Sequence, residues 1–353
     1  MWTVSSSKLN ALGRFHSKFD HSRMQRSHTS KKSICGPKIL IIGAMKCGTN
    51  TIGHLLAKHP RVALNRCEPK GRVRGNYGQC NSDNFQGTVA PQLSFWEGND
   101  LSFKRTKQPD QWLDVLARRL PWTDGVNNIT IDKSPSYFNT LKDSETPTLA
   151  KSLFPNAKVV ATLCNPATRM YSEYEFRMVP KRLHKLKKQF VQYGYEMPKN
   201  FVQFTKTILE CQRQVEEATE IEDADMEDGE LSEEFCDHIL RSYLSIGQYA
   251  IHIDRWIQEF DDDVLVVNME MDSVEKVRAL LSHIGEDVLP PEEYPWHELQ
   301  DDESSEFYTN SAYAGRNSAF QDFPNLMKRL QAHYAPYNKV LSEMIGEDFP
   351  LTW

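Results

Sequence analysis

Residues 38–50 read KILIIGAMKCGTN, and this stretch decides the fold. Residues 38–42 form a short run dominated by isoleucine, which is typical of a strand buried on both faces of a parallel sheet. A glycine-containing loop follows, and after it Ile52, Leu55 and Leu56 recur at helical spacing. This order of strand, loop and helix directs backbone N–H groups and a helix N-terminus at one point, and that geometry binds phosphate or sulfate groups.

The position of the lysine distinguishes this loop from that of nucleotide triphosphatases, which reads GxxxxGK[ST]. Gly43 and Gly48 keep the spacing of the two glycines. Thr49 and Asn50 follow Gly48, however, and the lysine of the loop is Lys46. A lysine inside the loop can reach the oxygen between a phosphate and a sulfonate, where charge develops as the sulfonate leaves. The displaced lysine therefore argues against the loop of a kinase or triphosphatase, and an incidental strand-to-helix turn is the less favoured interpretation.

Further apolar runs predict that strands and helices alternate along the chain. Residues 158–163 (KVVATL) and 263–268 (DVLVVN) predict two more buried strands, and amphipathic patterns between and after them predict helices. Strands that alternate with helices form a parallel sheet covered on both faces. We therefore predict an α/β fold of the P-loop type, with three layers (α/β/α) and a central parallel sheet, as a single domain over residues 37–353.

Three segments interrupt this alternation. Residues 1–36 form a basic, serine-rich N-terminal arm that is disordered, carries a targeting signal or is the stub of a membrane anchor. Two loop insertions are predicted at about residues 66–91 and 181–235. The second begins with the basic sequence KRLHKLKK and ends in an acidic run, residues 216–234, that is predicted to be a solvated surface loop.

Composition excludes several classes of protein. The net charge of −6 argues against a nucleic-acid partner. No apolar run reaches the roughly 18 residues that cross a bilayer, so the chain as given is predicted to be soluble. The seven cysteines are an odd number without a CxxC pair, which favours free thiols over disulfides or a zinc site. The acidic run lacks the ligand spacing of a calcium loop, so no metal site is predicted.

Further motifs follow the loop in order. They are His59-Pro60-x-Val62, IDKSPSYF at residues 131–138, LCNPATRMYSEY at residues 163–174, SIGQYA at residues 245–250 and Arg255-Trp256. Together with the GxxKxGT pattern of the loop, the series resembles the sulfotransferases that use 3′-phosphoadenosine 5′-phosphosulfate (PAPS). The resemblance is closest to the glucosaminyl N- and O-sulfotransferases that modify heparan sulfate, and it runs from about Lys38 to the C-terminus.

The resemblance implies PAPS as the sulfonate donor, without a metal. The residues that it implies for binding PAPS are Lys46, Cys47, Gly48, Thr49, Asn50, Thr51, Arg169, Ser172, Gly315 and Arg316. Two positions depart from the family pattern, because Cys164 and Ala314 replace an arginine and a lysine that contact phosphate in most relatives. Arg169 is then the nearest guanidinium on its segment, unless it forms a structural ion pair.

The resemblance also implies three catalytic side chains. Glu68 lies where relatives carry the catalytic glutamate, and it would take the proton of the acceptor. Lys46 and Lys133 would stabilise the departing and transferring oxygens.

The placement of the base has an alternative. In the family an aromatic pair follows the glutamate almost at once, but here Phe95-Trp96 comes only after an insertion. Glu97 is therefore a second candidate for the base. Gln92 could align at the same place, but an amide cannot accept the proton.

These residues predict an enzyme that transfers sulfonate from PAPS to a hydroxyl or amine by in-line displacement. The predicted acceptor is a small molecule or a glycan, so carbohydrates are among the candidates. Two alternatives stay open: a catalytically impaired scaffold that binds adenosine 3′,5′-bisphosphate (PAP) or another nucleotide, and a P-loop kinase or triphosphatase. No cysteine follows Cys236, so the C-terminal cysteine pair of the Golgi relatives is missing. This absence and the missing membrane anchor favour a cytoplasmic or organellar protein over one of the Golgi lumen. The oligomeric state is not predicted.

Overall fold

The computed structural model describes residues 33–34, 37–57, 59, 62–63, 122–123, 129–141, 144–220, 231–285 and 319–346. Its centre is a parallel sheet of five strands in the order β3-β5-β2-β6-β7. These strands are β2 (Ile39–Ile41), β3 (Val62–Ala63), β5 (Ile129–Lys133), β6 (Lys158–Leu163) and β7 (Val264–Asn268). The predicted α/β fold with a central parallel sheet is confirmed.

A second, two-stranded sheet pairs β1 (Ser33–Ile34) with β4 (Trp122–Thr123) in antiparallel orientation. The strand β1 lies inside the segment that the sequence assigned to the N-terminal arm. Regular structure therefore begins before residue 37, where the folded part was expected to start.

The register of the central sheet brings the functional segments to one edge. Ile41 at the end of β2 pairs with Lys133 at the end of β5 on one side and with Val160 of β6 on the other. All side chains of β2 are buried, as its apolar sequence predicts. Those of β5 are buried too, although they include Thr130, Asp132 and Lys133. In open parallel sheets, ligands bind beyond the carboxyl ends of the strands, which is the edge where the loop after β2 lies.

Four helices pack with the sheet into the first hydrophobic core. They are α1 (Thr49–Ala57), α2 (Thr146–Leu153), α7 (Tyr249–Phe260) and α8 (Ser273–His283). Their amphipathic spacing predicted them, and so did the proline at the start of α2. Asp272 caps α8 by accepting hydrogen bonds from two backbone N–H groups of its first turn.

A second hydrophobic core forms among the remaining helices. These are α3 (Pro166–Met178), α4 (Pro180–Val191), α5 (Phe201–Glu220), α6 (Glu233–Ile239) and α9 (Pro324–Ile345), with a π-helical turn at Leu240–Leu244. Much of the segment at 181–235 is therefore helical and buries apolar side chains, among them Phe190, Phe204 and Ile208.

The prediction of a loop over residues 216–234 is wrong at both ends, because α5 continues to Glu220 and α6 begins at Glu233. The exposed side of this helix is covered by pairs of side chains three and four residues apart, such as Arg213 with Glu210 and with Glu217. Such pairs support a helix, so the acidic composition concealed a helical pattern. Residues 221–230 lie outside the described residues.

The prediction of free thiols is also wrong for the four cysteines among the described residues. Cys47 is joined to Cys164, and Cys211 to Cys236. The first pair is 117 residues apart in sequence, but the two cysteines follow β2 and β6, which are neighbouring strands of the sheet. The second pair links α5 to α6, which pack together in the second core. The pairing follows from the topology, and cysteine spacing alone does not reveal it.

A membrane-spanning helix and a metal site are both absent from the part of the chain described above. No helix there is long and apolar enough to cross a membrane. No cluster of three or more His, Cys, Asp or Glu side chains there is arranged to hold a metal ion.

Candidate functional site

Tight packing shapes the loop between β2 and α1. A side chain at Gly43 would place its Cβ 2.3 Å from Oγ1 of Thr162 on β6. Gly48 has a φ of +71°, and a Cβ there would lie 2.4 Å from Cε of Met269, just after β7. Both positions therefore require glycine, one because of space and the other also because of its left-handed backbone. The two glycines let the loop lie against the ends of β6 and β7.

The loop presents unpaired backbone donors where it enters α1. The helix begins at Thr49, and the first N–H groups of a helix have no partner within it. The helix dipole adds a partial positive charge at the same place. Thr49 is buried and Asn50 is exposed. This end of α1 therefore has the donors and the field that bind an oxyanion.

Lys46 has an unusual backbone conformation for a residue with a side chain. Its φ is +75°, in the left-handed region that non-glycine residues rarely adopt. Its ammonium lies 4.5 Å from the centroid of the Phe176 ring of α3. A cation over an aromatic face is attracted by the ring quadrupole. The loop thus holds the ammonium of Lys46 against helix α3.

Lys133 lies behind the first turn of α1. Its side chain is 1% exposed, and its Nζ donates a hydrogen bond to Oδ1 of Asn50 over 2.5 Å. Gly53 leaves the space that its stem occupies, because a Cβ at Gly53 would lie 3.3 Å from Cδ of Lys133. Burial lowers the pKa of Lys133 to about 8, although the neighbouring Asp132 acts in the opposite direction. The structure thus brings two predicted site residues, Lys133 and Asn50, into direct contact.

The segment after β5 is fixed by its own hydrogen bonds. The Tyr137 hydroxyl donates to Oδ2 of Asp132 over 3.0 Å. The backbone N–H of Ser134 donates to the carbonyl of Ile41 over 3.0 Å. These bonds tie the turn at Pro135–Phe138 to the end of β2, so the position of Lys133 at the sheet edge is well defined.

The segment after β6 starts α3 with a side-chain cap. The side chain of Asn165 accepts hydrogen bonds from the N–H groups of Ala167 and Thr168. Ser172, one turn further on, is 1% exposed. Its hydroxyl has no hydrogen-bond partner among the described residues. Because buried hydroxyls are normally paired, Ser172 stays a candidate for contact with a ligand.

Arg169 on the same helix is fully buried. Its guanidinium donates to Oε2 of Glu173 over 2.6 Å and to the carbonyl of Tyr243 over 2.7 Å. Glu173 also accepts a hydrogen bond from Arg177. The geometry of Arg169 is therefore that of the structural ion pair, the alternative to a phosphate contact.

The Cys47–Cys164 disulfide joins the loop to the segment after β6. Both cysteines are buried. The Tyr249 hydroxyl donates to the carbonyl of Cys164 over 2.8 Å and lies 3.4 Å from Sγ of Cys47. A covalent link thus stands where most relatives of the predicted family would have an arginine. Cys47 has no free thiol, and its backbone N–H donates to the carbonyl of Ala44 over 3.0 Å.

Other predicted residues lie outside the described residues. They are Glu68, with its alternatives Gln92 and Glu97, and the C-terminal pair Gly315 and Arg316. Sequence reasoning missed two groups that the structure places beside the loop, namely Phe176 and Arg182. The Arg182 guanidinium lies 3.7 Å from the centroid of the same Phe176 ring that Lys46 contacts. Their spacing in the sequence does not indicate a place beside the loop, because that place depends on how α3 and α4 pack.

Comparison with known proteins agrees with this geometry. A family model described as "Sulfotransferase domain" matches residues 36–293. The chain is 25% identical over 248 residues to a bifunctional heparan sulfate N-deacetylase/N-sulfotransferase 4 of Mus musculus, covering 67% of this chain and 21% of the relative. It is 25% identical over 273 residues to the corresponding protein 3 of Homo sapiens, covering 74% of this chain and 24% of the relative. The chain therefore spans no more than about a quarter of the length of these curated relatives.

A solved structure is also similar. The crystal structure of a sulfotransferase from Alicyclobacillus acidocaldarius superposes with a TM-score of 0.47 and 18% identity, covering 88% of this chain and 96% of that one.

Proposed function

Because the chain belongs to the sulfotransferase domain family, we propose that it transfers a sulfonate group from PAPS to a hydroxyl or amine of an acceptor. The observation that carries this proposal is the loop at residues 43–48. This loop carries Lys46, whose ammonium lies over the Phe176 ring, and it leads into α1, where the buried ammonium of Lys133 donates to Asn50 in the first turn. A lysine in the loop, a second lysine bonded to the first turn and a helix N-terminus support binding of a doubly anionic phosphosulfate group.

The described residues suit the donor in three ways. The backbone N–H groups of residues 48–51 and the side chain of Lys46 would hold its 5′-phosphosulfate, whereas the N–H of Cys47 is already bonded to Ala44. The unpaired hydroxyl of Ser172 would contact its 3′-phosphate. Gly315 and Arg316 complete the proposed contacts. Arg169 is left out, because its guanidinium is buried in the ion pair with Glu173.

The proposed reaction is an in-line displacement at sulfur. PAPS supplies the sulfonate, on a phosphate leaving group. The bond between sulfur and the acceptor oxygen or nitrogen forms while the bond between sulfur and the bridging oxygen breaks. Lys46 stabilises the charge that develops on the leaving oxygen, and Lys133 supports it through Asn50. Glu68 accepts the proton that the acceptor loses.

The acceptor is proposed to be a carbohydrate. Support comes from the two curated relatives, which are named for heparan sulfate and for N-sulfotransferase activity. An amine of an amino sugar and a sugar hydroxyl are both compatible with a carboxylate base, because both must lose a proton on attack.

The two disulfides bear on the compartment. Disulfides persist in oxidising compartments and are rare where thioredoxin and glutathione keep thiols reduced. The Cys47–Cys164 and Cys211–Cys236 bonds therefore favour a secretory compartment over the cytoplasm. The missing C-terminal cysteine pair led to the opposite prediction, a cytoplasmic or organellar protein.

One observation favours a second function. Cys164 is held in a disulfide where most members of the family have a phosphate-binding arginine, which is what an impaired scaffold that binds PAP would show. Thermal unfolding tests the donor site that both functions share. PAP without magnesium should raise the melting temperature, because a ligand that binds only the native state stabilises it. If ATP with magnesium raises the melting temperature and PAP does not, the donor assignment is wrong.

A further inference from the structure

Helix α4 is strongly basic in a chain that is acidic overall. Between Pro180 and Val191 it carries five Lys or Arg side chains and no Asp or Glu, whereas the formal net charge of the whole chain is −6. Its opposite face is fixed in the second core by Leu186 and Phe190. Phe190 packs against Phe204 of α5 and Phe235 of α6. The helix therefore cannot turn its basic face inward.

The positive charge on this face has no counterion among the described residues. Lys185, Lys187 and Lys188 are exposed. None of the three, nor Arg182, forms an ion pair with a described carboxylate. Burial, as the larger cause, and the like charge of the nearby Arg177 both lower the pKa of Arg182.

The basic face is continuous with the catalytic loop. Arg182 and Lys46 lie over the same Phe176 ring, at 3.7 Å and 4.5 Å from its centroid. Lys185 and Lys188 follow Arg182 at intervals of three residues, so the three side chains lie along one side of α4. At a rise of 1.5 Å per residue they span about 9 Å, which is longer than a single phosphate or sulfate group.

We propose that this face of α4, formed by Arg182, Lys185 and Lys188, binds a polyanionic segment of the acceptor, with Arg182 next to the reacting group. The inference rests on the proposed sulfonate transfer and adds to it where the acceptor lies and what charge it carries. The donor is not the ligand of this face, because its phosphosulfate binds at the start of α1. An extended acceptor with several negative charges matches a row of cations that begins beside Lys46.

The test compares two variants with the same change of charge. The first is the triple variant Arg182→Gln/Lys185→Gln/Lys188→Gln. The matched control is Lys328→Gln/Arg329→Gln/Lys339→Gln, on the exposed side of α9. Fluorescence anisotropy measures binding of labelled dextran sulfate, with neutral dextran as the uncharged probe. The α4 variant should bind dextran sulfate about tenfold more weakly, with a shallower dependence on salt, because three cation–anion contacts are lost. The control should bind like the wild type.

Two further measurements keep the outcomes distinct. In the wild type, dextran sulfate should protect Lys185 and Lys188 from acylation, as read by mass spectrometry, and PAP should not. PAP should raise the melting temperature of the α4 variant as much as that of the wild type. If PAP stabilises neither protein, the proposed function fails. If PAP stabilises both, and the α4 variant binds dextran sulfate as tightly as the control, the inference about α4 is wrong.

Discussion

The ammonium of Lys133 lies 2.5 Å from Oδ1 of Asn50, so a buried cation at the end of β5 is tied to the exposed first turn of α1. The carbonyl oxygen of the Asn50 amide accepts this bond, which leaves its N–H₂ group to donate to an anion. Asn50 thus connects a lysine that solvent does not reach with the place where the donor is proposed to bind. This contact makes the protonation of Lys133 a testable part of the mechanism.

The rate should fall as pH rises through about 8, because burial lowers the pKa of Lys133 to that value and its charge is then lost. The variant Asn50→Asp places a carboxylate against the ammonium, so the pKa of Lys133 should rise and the falling limb should move to higher pH. The same carboxylate should repel the donor and raise its KM. The pH dependence of kcat/KM, measured for both proteins, checks this. A falling limb that stays in place in Asn50→Asp would exclude Lys133 as its source.

Lys46→Ala should lower kcat by about 10²-fold or more while the protein keeps its fold, because the ammonium acts mainly on charge that develops in the transition state. Affinity for PAP should fall less than kcat. Lys151 is a matched control, because its ammonium lies 4.7 Å from the Phe260 ring, away from the loop. Lys151→Ala removes a similar cation–aromatic contact and should leave kcat unchanged. Equal losses in both variants would point to stability as the cause.

Glu68→Gln should bind PAP normally and lose about 10²-fold or more in rate, because the amide keeps the size of the side chain but cannot accept a proton. The loss should be smaller for acceptors with a more acidic nucleophile. Glu97→Gln, measured in parallel, should be nearly silent. An inactive Glu97 variant beside an active Glu68 variant would move the base to Glu97, next to Phe95-Trp96.

The double variants Cys47→Ser/Cys164→Ser and Cys211→Ser/Cys236→Ser should both lower the melting temperature. Chain entropy predicts a loss of about 5 kcal/mol for the first, which closes 117 residues, and of about 3.5 kcal/mol for the second, which closes 25. Only the first should also weaken PAP binding, because only that bond holds the loop. Calorimetric titration with PAP below the melting temperature of each variant measures this. If the two variants bind PAP with equal affinity, the Cys47–Cys164 disulfide has no role in PAP binding.

Much of the fold could be predicted from local sequence. The strands at β2, β6 and β7 follow from short β-branched runs, and the start of α3 follows from Asn165 and Pro166. The lysine of the loop could be identified because its position relative to Gly43 and Gly48 distinguishes the loop from that of nucleotide triphosphatases. These features depend on neighbours within a few residues, which a sequence displays directly.

The rest depends on contacts between distant residues. Cys47 and Cys164 meet because β2 and β6 are adjacent, an order that neither cysteine encodes. The shared ring of Phe176 depends on how α3 and α4 pack beside the loop. Arg169 was predicted to contact phosphate, with an ion pair as the alternative, and its pairing with Glu173 depends on the burial of both side chains in the fold.

The most direct test of sulfonate transfer is incubation of the wild-type protein with PAPS labelled in the sulfonate group and a panel of glycans, amines, phenols and sterols. We expect label to pass to an anionic carbohydrate, with one PAP released for each sulfonate group transferred. The Lys46→Ala variant should show almost no label transfer and almost no PAP release. If PAP binds but no acceptor gains label, the protein is a binding scaffold and the account is contradicted. Hydrolysis of ATP with magnesium in place of PAPS turnover would contradict it as well.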